Sequence, residues 1–402
     1  MVITAMQKPV LPKHIKEVLS RLNSKGFEAY IVGGSVRDAA MDRPSYDWDI
    51  ATSATPVEVV KLFEKTVLTG EKFGTVTVVL NECIIEVTTF RTDGEYVDAR
   101  HPEKVEFVTD INEDLGRRDF TINAMAMSLD GEIVDPYGGM DDIKERIIRC
   151  VGDPQKRFSE DALRMLRAFR FSAQLGFKIE KNTLSAIKNG AENSKNISAE
   201  RIHVELEKAL MSKKPEIIGE IIKAGLLNRF LKGPYKNSME LCRINKLPDE
   251  LALRWGVFCD VLLEENCIES AWEFLRELHV ENKIIKVVHT AMLVKDFPTD
   301  RIGQKRMLVK YGAPAARVAA VVHDARTGDS LSSLLTIYSI ISSGECISLD
   351  KLAVTGKDLI ELGYNQGPEL GKELYKLLDY VIVNPGSNKR ETLLELVKNT
   401  KS

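Results

Sequence analysis

Asp47 and Asp49 stand one residue apart, shortly after the run Ile31-Val32-Gly33-Gly34-Ser35-Val36-Arg37-Asp38. Nothing else in the chain constrains its fold as tightly. Residues i and i+2 of an extended strand point to one face. A strand over 47–51 therefore sets two like charges side by side, and they repel unless a cation sits between them. Divalent magnesium suits that place, being a hard ion held by one or two carboxylates and by substrate phosphates. The glycine pair predicts a tight turn into a helix over 35–41. Bare backbone N–H groups at such a turn make a seat for a phosphate. Asp38 is placed to orient Arg37 or to cap locally. Metal beside phosphate is the setting of nucleotidyl transfer.

The rest of the N-terminal part, to about residue 140, mixes strand and helix signals. Residues 13–22 read as an amphipathic helix and 29–32 as a strand. Thr55-Pro56 reads as a helix entry, with proline at the first helical position. The β-branched runs 75–80 and 84–90 predict a hairpin turning at Asn81-Glu82. Beyond residue 141 helical patterns take over: 161–175, 199–211, 215–224, 271–278 and 369–381. The expected fold class is α+β, a sheet-bearing head followed by helices. At 402 residues the chain is too long for one core. With 44% hydrophobic and 29% charged residues it reads as soluble and globular. No apolar run approaches the length of a membrane span, and residues 1–12 lack a signal-peptide layout. The six scattered cysteines fit a reduced, cytoplasmic compartment. A net charge of −3 argues against broad, non-specific nucleic-acid binding, but not against a shaped RNA held by local basic patches.

Further blocks extend the site. Two metals acting on an in-line displacement call for a third carboxylate. Glu86 is the candidate: alternation puts Ile85 and Val87 on one face of their strand and Glu86 on the other. Its bland alternative is a polar residue on a solvated face. In Arg117-Arg118-Asp119-Phe120-Thr121-Ile122-Asn123, Asp119 is expected to cap the following helix. Arg118 would hold triphosphate or base, and Asn123 a sugar hydroxyl. In Glu160-Asp161-Ala162-Leu163-Arg164, the two charged residues three apart would be neighbours on a helix. Aspartate only accepts and arginine only donates. That couple matches the amino group and ring acceptor of cytosine or adenine, and it refuses uracil and guanine. An ordinary surface ion pair is the alternative. Arg167 follows on the same helix. Arg170 lies about half a turn away from Asp161, at ~100° per residue, and would serve phosphate or structure.

Together these blocks resemble the class II tRNA nucleotidyltransferases, the bacterial CCA-adding enzymes and their poly(A) polymerase relatives. The resemblance runs from about Tyr30 to Leu210. It takes in the glycine turn, Asp47-Trp48-Asp49, Glu86 to Arg91, Arg117 to Ala126, Asp135-Pro136-Tyr137-Gly138-Gly139, Glu160 to Arg164 and Ser198-Ala199-Glu200-Arg201. Trp48 replaces the usual aliphatic residue on the packing face. Gly356 to Leu359 and Gly367 to Gly371 look like the family's tail.

The resemblance implies a seahorse-like protein: a catalytic head with a small mixed or antiparallel sheet (1–145), a helical neck that selects the base (146–206), a body (207–290) and a tail (291–402). It implies Asp47, Asp49 and Glu86 as catalytic acids, the first two binding Mg2+. The nucleotide would meet Gly33, Gly34, Arg37, Arg118, Asn123, Asp161, Arg164, Arg167 and Arg170. The reaction would be template-independent addition of CCA to tRNA from CTP and then ATP. Body and tail would grip the acceptor stem and elbow, and no membrane is involved. Enzymes adding only CC lack a flexible loop after the third carboxylate strand. Residues 91–102, with Asp98 and Arg100, keep it here. Full CCA addition and addition of the terminal A alone both stay open. Poly(A) synthesis and an inactive RNA-binding homologue are lesser alternatives. His323-Asp324 is an isolated pair, read as structural rather than as part of an appended phosphohydrolase site.

Overall fold

The computed structural model describes residues 2–3, 11–45, 47–70, 73–80, 83–94, 105–236 and 238–401. The chain divides into two compact units, 1–229 and 230–402.

The first unit contains β1 (Val2–Ile3), β2 (Ala29–Val32), β3 (Asp49–Thr52), β4 (Thr66–Gly70), β5 (Thr75–Leu80), β6 (Cys83–Thr89), β7 (Arg91–Asp93), β8 (Val105–Phe107), β9 (Ala126–Met127) and β10 (Ile133–Val134). Eight of them make one mixed sheet in the order β1-β10-β9-β2-β3-β6-β5-β4, while β7 and β8 form a separate ribbon. Within the eight-stranded sheet every pairing is antiparallel except β3 with β6, where Ile50 lies opposite Val87; residues 147–148 and 178–179 form a further small parallel pair. The β-branched runs form β5 and β6, as their composition dictates. Their turn at Asn81-Glu82 lies outside the described residues, as do Asp98 and Arg100. Ile50, Val76, Val78, Ile85 and Val87 are buried. Each such side chain contributes about 1.5–3 kcal/mol by leaving water.

The helices of this unit are α1 (Lys13–Ser24), α2 (Gly34–Ala40), α3 (Pro56–Leu62), α4 (Ile111–Gly116), α5 (Gly139–Glu145), α6 (Pro154–Glu160), α7 (Leu163–Leu175), α8 (Lys181–Gly190), α9 (Ala199–Leu210) and α10 (Ile218–Lys223). In α1, Ile15, Val18, Leu19 and Leu22 recur at helical spacing and are buried. Pro56 is the first residue of α3, and Thr55 with Glu58 closes a capping box before it.

Two boundaries correct the sequence reading. β3 begins at Asp49, so Asp47 lies ahead of the strand rather than on it. The helix expected over 161–175 begins at Leu163, and Asp161 is extended, with φ −143° and ψ 104°. Aspartate competes with the helix for backbone donors. Here its Oδ1 accepts from Leu163 N at 3.0 Å, which breaks the chain between α6 and α7.

Among its described residues the second unit is helical: α11 (Leu251–Glu264), α12 (Ala271–Glu277), α13 (Asn282–Met292), α14 (Arg301–Tyr311), α15 (Ala313–Thr327), α16 (Ser332–Ser342), α17 (Gly356–Glu361), α18 (Pro368–Val383) and α19 (Arg390–Lys401), with short 3-10 turns. Trp255, Phe258 and Phe274 pack ring against ring in its core. His323 stacks on Phe297, and the buried Asp324 accepts from the backbone N–H groups of Ser333 and Leu334. Both members of that pair are thus engaged in packing and capping. No helix among the described residues is long and apolar enough to cross a membrane.

Candidate active site

A cavity of about 530 Å³ in the first unit gathers most of the residues singled out above. Gly33, Gly34, Arg37, Asp47 and Asp49 line one part of it. Arg118, Asn123, Asp161, Arg164 and Arg167 line the rest, with Arg117, Asp119, Phe171 and Arg201. Six arginines face four aspartates in that lining. A chain of net negative charge thus hides a locally positive chamber, suited to a polyanion.

The sheet register builds the acidic end. Antiparallel pairing sets Val32 opposite Asp49, so the glycine turn after β2 lies beside the start of β3. Gly33 has φ +75°, and a Cβ there would come within 3.2 Å of the Arg118 guanidinium. Only glycine suits both the left-handed backbone and the close approach. Continuing the parallel register of β3 and β6 by one residue brings Glu86 level with Asp49. Glu86 is exposed while Ile85 and Val87 are buried, as the alternation requires. It does not line the cavity itself. Burial, then Asp47, then Glu86 push the Asp49 carboxyl up to about 6, against the opposing pull of Arg118. Ionised Asp49 is therefore costly unless a cation joins it. Among the described residues no three acid, histidine or cysteine side chains converge tightly enough to hold an ion unaided. A cation here would need oxygens from its substrate, which is the ordinary habit of magnesium.

Acids on α2 and α4 hold the basic end. Asp38 grips Arg37 through two hydrogen bonds of 3.0 and 3.1 Å, and Arg37 Nη1 donates to Asn123 Oδ1 at 2.7 Å. Asp114, fully buried on α4, accepts from Arg117 at 2.8 Å and Arg118 at 3.1 Å. Burial raises its pKa, but the two guanidiniums outweigh that and hold it below the usual carboxylate range. The Nε of Arg118 is buried with no partner among the described residues, a donor left over for an anion.

Asp119 corrects the sequence reading. It caps no helix; it accepts from Phe120 N at 2.8 Å, Asn123 Nδ2 at 3.2 Å and Arg167 Nε at 2.8 Å. The segment after it is a short 3-10 turn, Thr121–Asn123, without a side-chain cap. Burial raises the Asp119 carboxyl, yet Arg167 and Asn123 bring it down to about 2, from an ordinary 3.8. A depressed carboxylate stabilises the fold above its unfolded pKa, and that stability is lost as pH falls through the folded one. Denaturant titrations between about pH 4 and 2 should therefore show a steeper loss in the native protein than in Asp119→Asn. Parallel curves would show that the group titrates alike in both states.

Asp161 and Arg164 line the same cavity, although they do not share a helix. Arg164 donates to Glu160 at 2.7 Å and to the Arg117 carbonyl at 3.0 Å. Asp161 is clasped by Arg201. Arg170 is absent from the lining: it pairs with the buried Glu205, bonds Gln174 and lies over the Phe171 ring. Its place is structural.

Three participants escaped the sequence reading, Asp114, Glu205 and Phe171, and Arg201 entered it only within the motif Ser198-Ala199-Glu200-Arg201, with no role attached. Asp114 had a signal, since it stands three and four residues before the arginine pair. Glu205 and Arg201 reach their partners from a distant helix, and no local spacing reveals them.

Three family models match the chain. The poly A polymerase head domain covers residues 29–149, an RNA and SrmB-binding site of polymerase A covers 176–236, and tRNA nucleotidyltransferase domain 2 covers 252–397. A CCA-adding enzyme of Geobacillus sp. is 39% identical over 376 residues, 91% of each chain. One from Bacillus velezensis is 38% identical over 388 residues, 94% of this chain and 96% of its own. The crystal structure of the Bacillus stearothermophilus CCA-adding enzyme in complex with CTP superposes with a TM-score of 0.83 at 33% identity, covering 98% of this chain and 99% of that one. The Thermotoga maritima CCA-adding enzyme complexed with tRNA_CCA shares the fold, at TM-score 0.71 and 22% identity, over 98% of this chain and 97% of its own. With that likeness running from end to end, the chain belongs to the family of CCA-adding enzymes.

Proposed function

We propose that this protein adds CCA to the 3′ end of tRNA, taking CTP and then ATP without a nucleic-acid template. One observation carries the reading: the acid pair, the glycine turn and the Asp161–Arg164 couple all border a single cavity. The RNA 3′-hydroxyl attacks the α-phosphorus; the new O–P bond forms as the α–β bridge breaks, and pyrophosphate leaves. Members of this family generally use a divalent metal. Here Mg2+ fits Asp47 and Asp49, with Glu86 beside them, because clustered acids leave Asp49 short of positive charge. When bound, such an ion polarises phosphoryl oxygen and lowers the pKa of an attacking hydroxyl. Arg118, Arg37 and Arg167 are placed to neutralise the triphosphate, and Asn123 to meet the sugar. Asp161 accepts from the amino group of cytosine or adenine while Arg164 donates to the ring acceptor. Arg170 supports this wall from behind.

In this reading residues 1–145 form the head, 146–206 the neck, 207–290 the body and 291–402 the tail. The last two grip the acceptor stem and elbow of tRNA, in the cytoplasm. Complete CCA addition is preferred to addition of the terminal A alone, because the Bacillus stearothermophilus relative was crystallised with CTP.

The test supplies tRNA transcripts ending before CCA, after C and after CC, with CTP, ATP or both, and sequences the products. All three should be completed to CCA. Extension of the CC-ended transcript alone would replace the proposal with A addition. A companion measurement concerns the metal. With CTP present to complete its oxygen shell, millimolar Mg2+ should raise the melting temperature of the native protein and leave that of Asp47→Asn or Asp49→Asn unmoved. An equal rise in all three would place the ion elsewhere.

A further inference from the structure

Arg201 is the third residue of α9, far from Asp161 in sequence, yet both line the cavity. Its Nη1 donates to Asp161 Oδ1 at 3.2 Å and its Nη2 to Oδ2 at 2.8 Å. This two-pronged grip is the strongest and most directional contact that arginine makes with a carboxylate. Oδ1 also accepts from Leu163 N at 3.0 Å. An ionised carboxylate has about four acceptor sites, so these three contacts leave one, on Oδ2. Asp161 sits on an extended joint between α6 and α7, where no helix fixes its side chain. Without the fork its carboxylate would turn about the Cβ–Cγ bond and offer either oxygen in several directions.

We propose that Arg201 is a positioning residue for base selection: by clasping Asp161 it leaves one acceptor direction open to the incoming base. This rests on the assignment of Asp161 as reader of the nucleobase amino group. A single fixed acceptor rewards the amino group of cytosine or adenine and penalises a carbonyl in the same place. An acceptor free to swing loses that penalty, because it turns away from the carbonyl and lets water or a tilted base fill the gap. Arg201 thus acts on discrimination through Asp161, without touching the base.

The experiment measures kcat/KM for CTP and for UTP on tRNA lacking CCA. It uses the native full chain, Arg201→Met, Arg201→Lys, Asp161→Ala and the double variant Asp161→Ala with Arg201→Met. In Arg201→Met the preference for CTP over UTP should fall about tenfold or more, the equivalent of one charge-assisted hydrogen bond. Arg201→Lys keeps the charge but not the fork, and should fall between that variant and the native protein. In the Asp161→Ala background, loss of Arg201 should change the preference by less than about twofold, since coupled residues are not additive. A lower rate with unchanged preference would overturn the proposal and leave Arg201 a packing residue. So would independent effects that multiply in the double variant. If circular dichroism shows Arg201→Met unfolded, the lysine variant decides alone: a reduced preference supports the proposal and a native one overturns it. Failure of the native protein to add C from CTP would instead sink the functional reading on which this rests.

Discussion

Asparagine in place of Asp49 should reduce nucleotide incorporation by about a thousandfold or more, because it removes a charge from the place where the metal and the reacting phosphate meet. The same change should not unfold the protein. Asp49 carries a pKa raised to about 6 by burial and by Asp47 and Glu86. For an acid whose folded pKa lies above its unfolded one, native stability is favoured at low pH and lost as pH rises through the folded value. Near pH 8 the native chain bears a charge it holds at a cost, and asparagine relieves it. Without added Mg2+, the melting temperature of Asp49→Asn should therefore equal or exceed that of the native protein, while tRNA still binds in a gel-shift assay. Asp47→Asn should lose activity in the same way. Substantial turnover in either variant would refute the metal assignment, and an unfolded Asp49→Asn would show the carboxylate to be a structural group.

Asp114→Ala should do the opposite, damaging stability first. Asp114 is fully buried and accepts from both Arg117 and Arg118. Its removal strands two guanidiniums at the cavity wall. Breaking a buried pair by deleting one partner costs about 3–5 kcal/mol, and the partial exposure of both arginines argues for the lower figure. At about 2–4 °C per kcal/mol for a unit of this size, the first unit should melt roughly 6–12 °C lower. The arginines would also lose their aim, so KM for CTP and ATP should rise more than kcat falls. A change of melting temperature below about 2 °C would mean that solvent or another acid replaces Asp114. Asp114→Asn retains an acceptor and should lie between the two.

Much of the first unit was legible because its signals are local. Thr55-Pro56, the alternation around Glu86 and the β-branched hairpin each depend on neighbours within a few residues, and the structure places them as spacing requires. Local logic failed where a side chain competed with the backbone. Asp161 looked helical, yet its carboxylate takes the Leu163 N–H and ends the helix idea there. Asp119 looked like a cap, yet one of its oxygens takes the adjacent Phe120 amide and the Asn123 side chain, and the other a distant arginine. The roles of the site's supports stayed hidden for a different reason. Arg201 and Glu205 come from α9, and their partners lie 40 and 35 residues earlier. Composition misled as well: the overall negative charge gave no hint of six arginines around one chamber.

The one parallel pairing in the sheet also limits how this chain can change length. Glu86 stands beside Asp49 only through the register of β6 against β3. Inserting or deleting a single residue inside β6 ahead of Glu86, with the register at Val87 lost, would turn the carboxylate inward and expose Ile85 or Val87 to water. Indels should therefore be silencing within the few residues around Glu86.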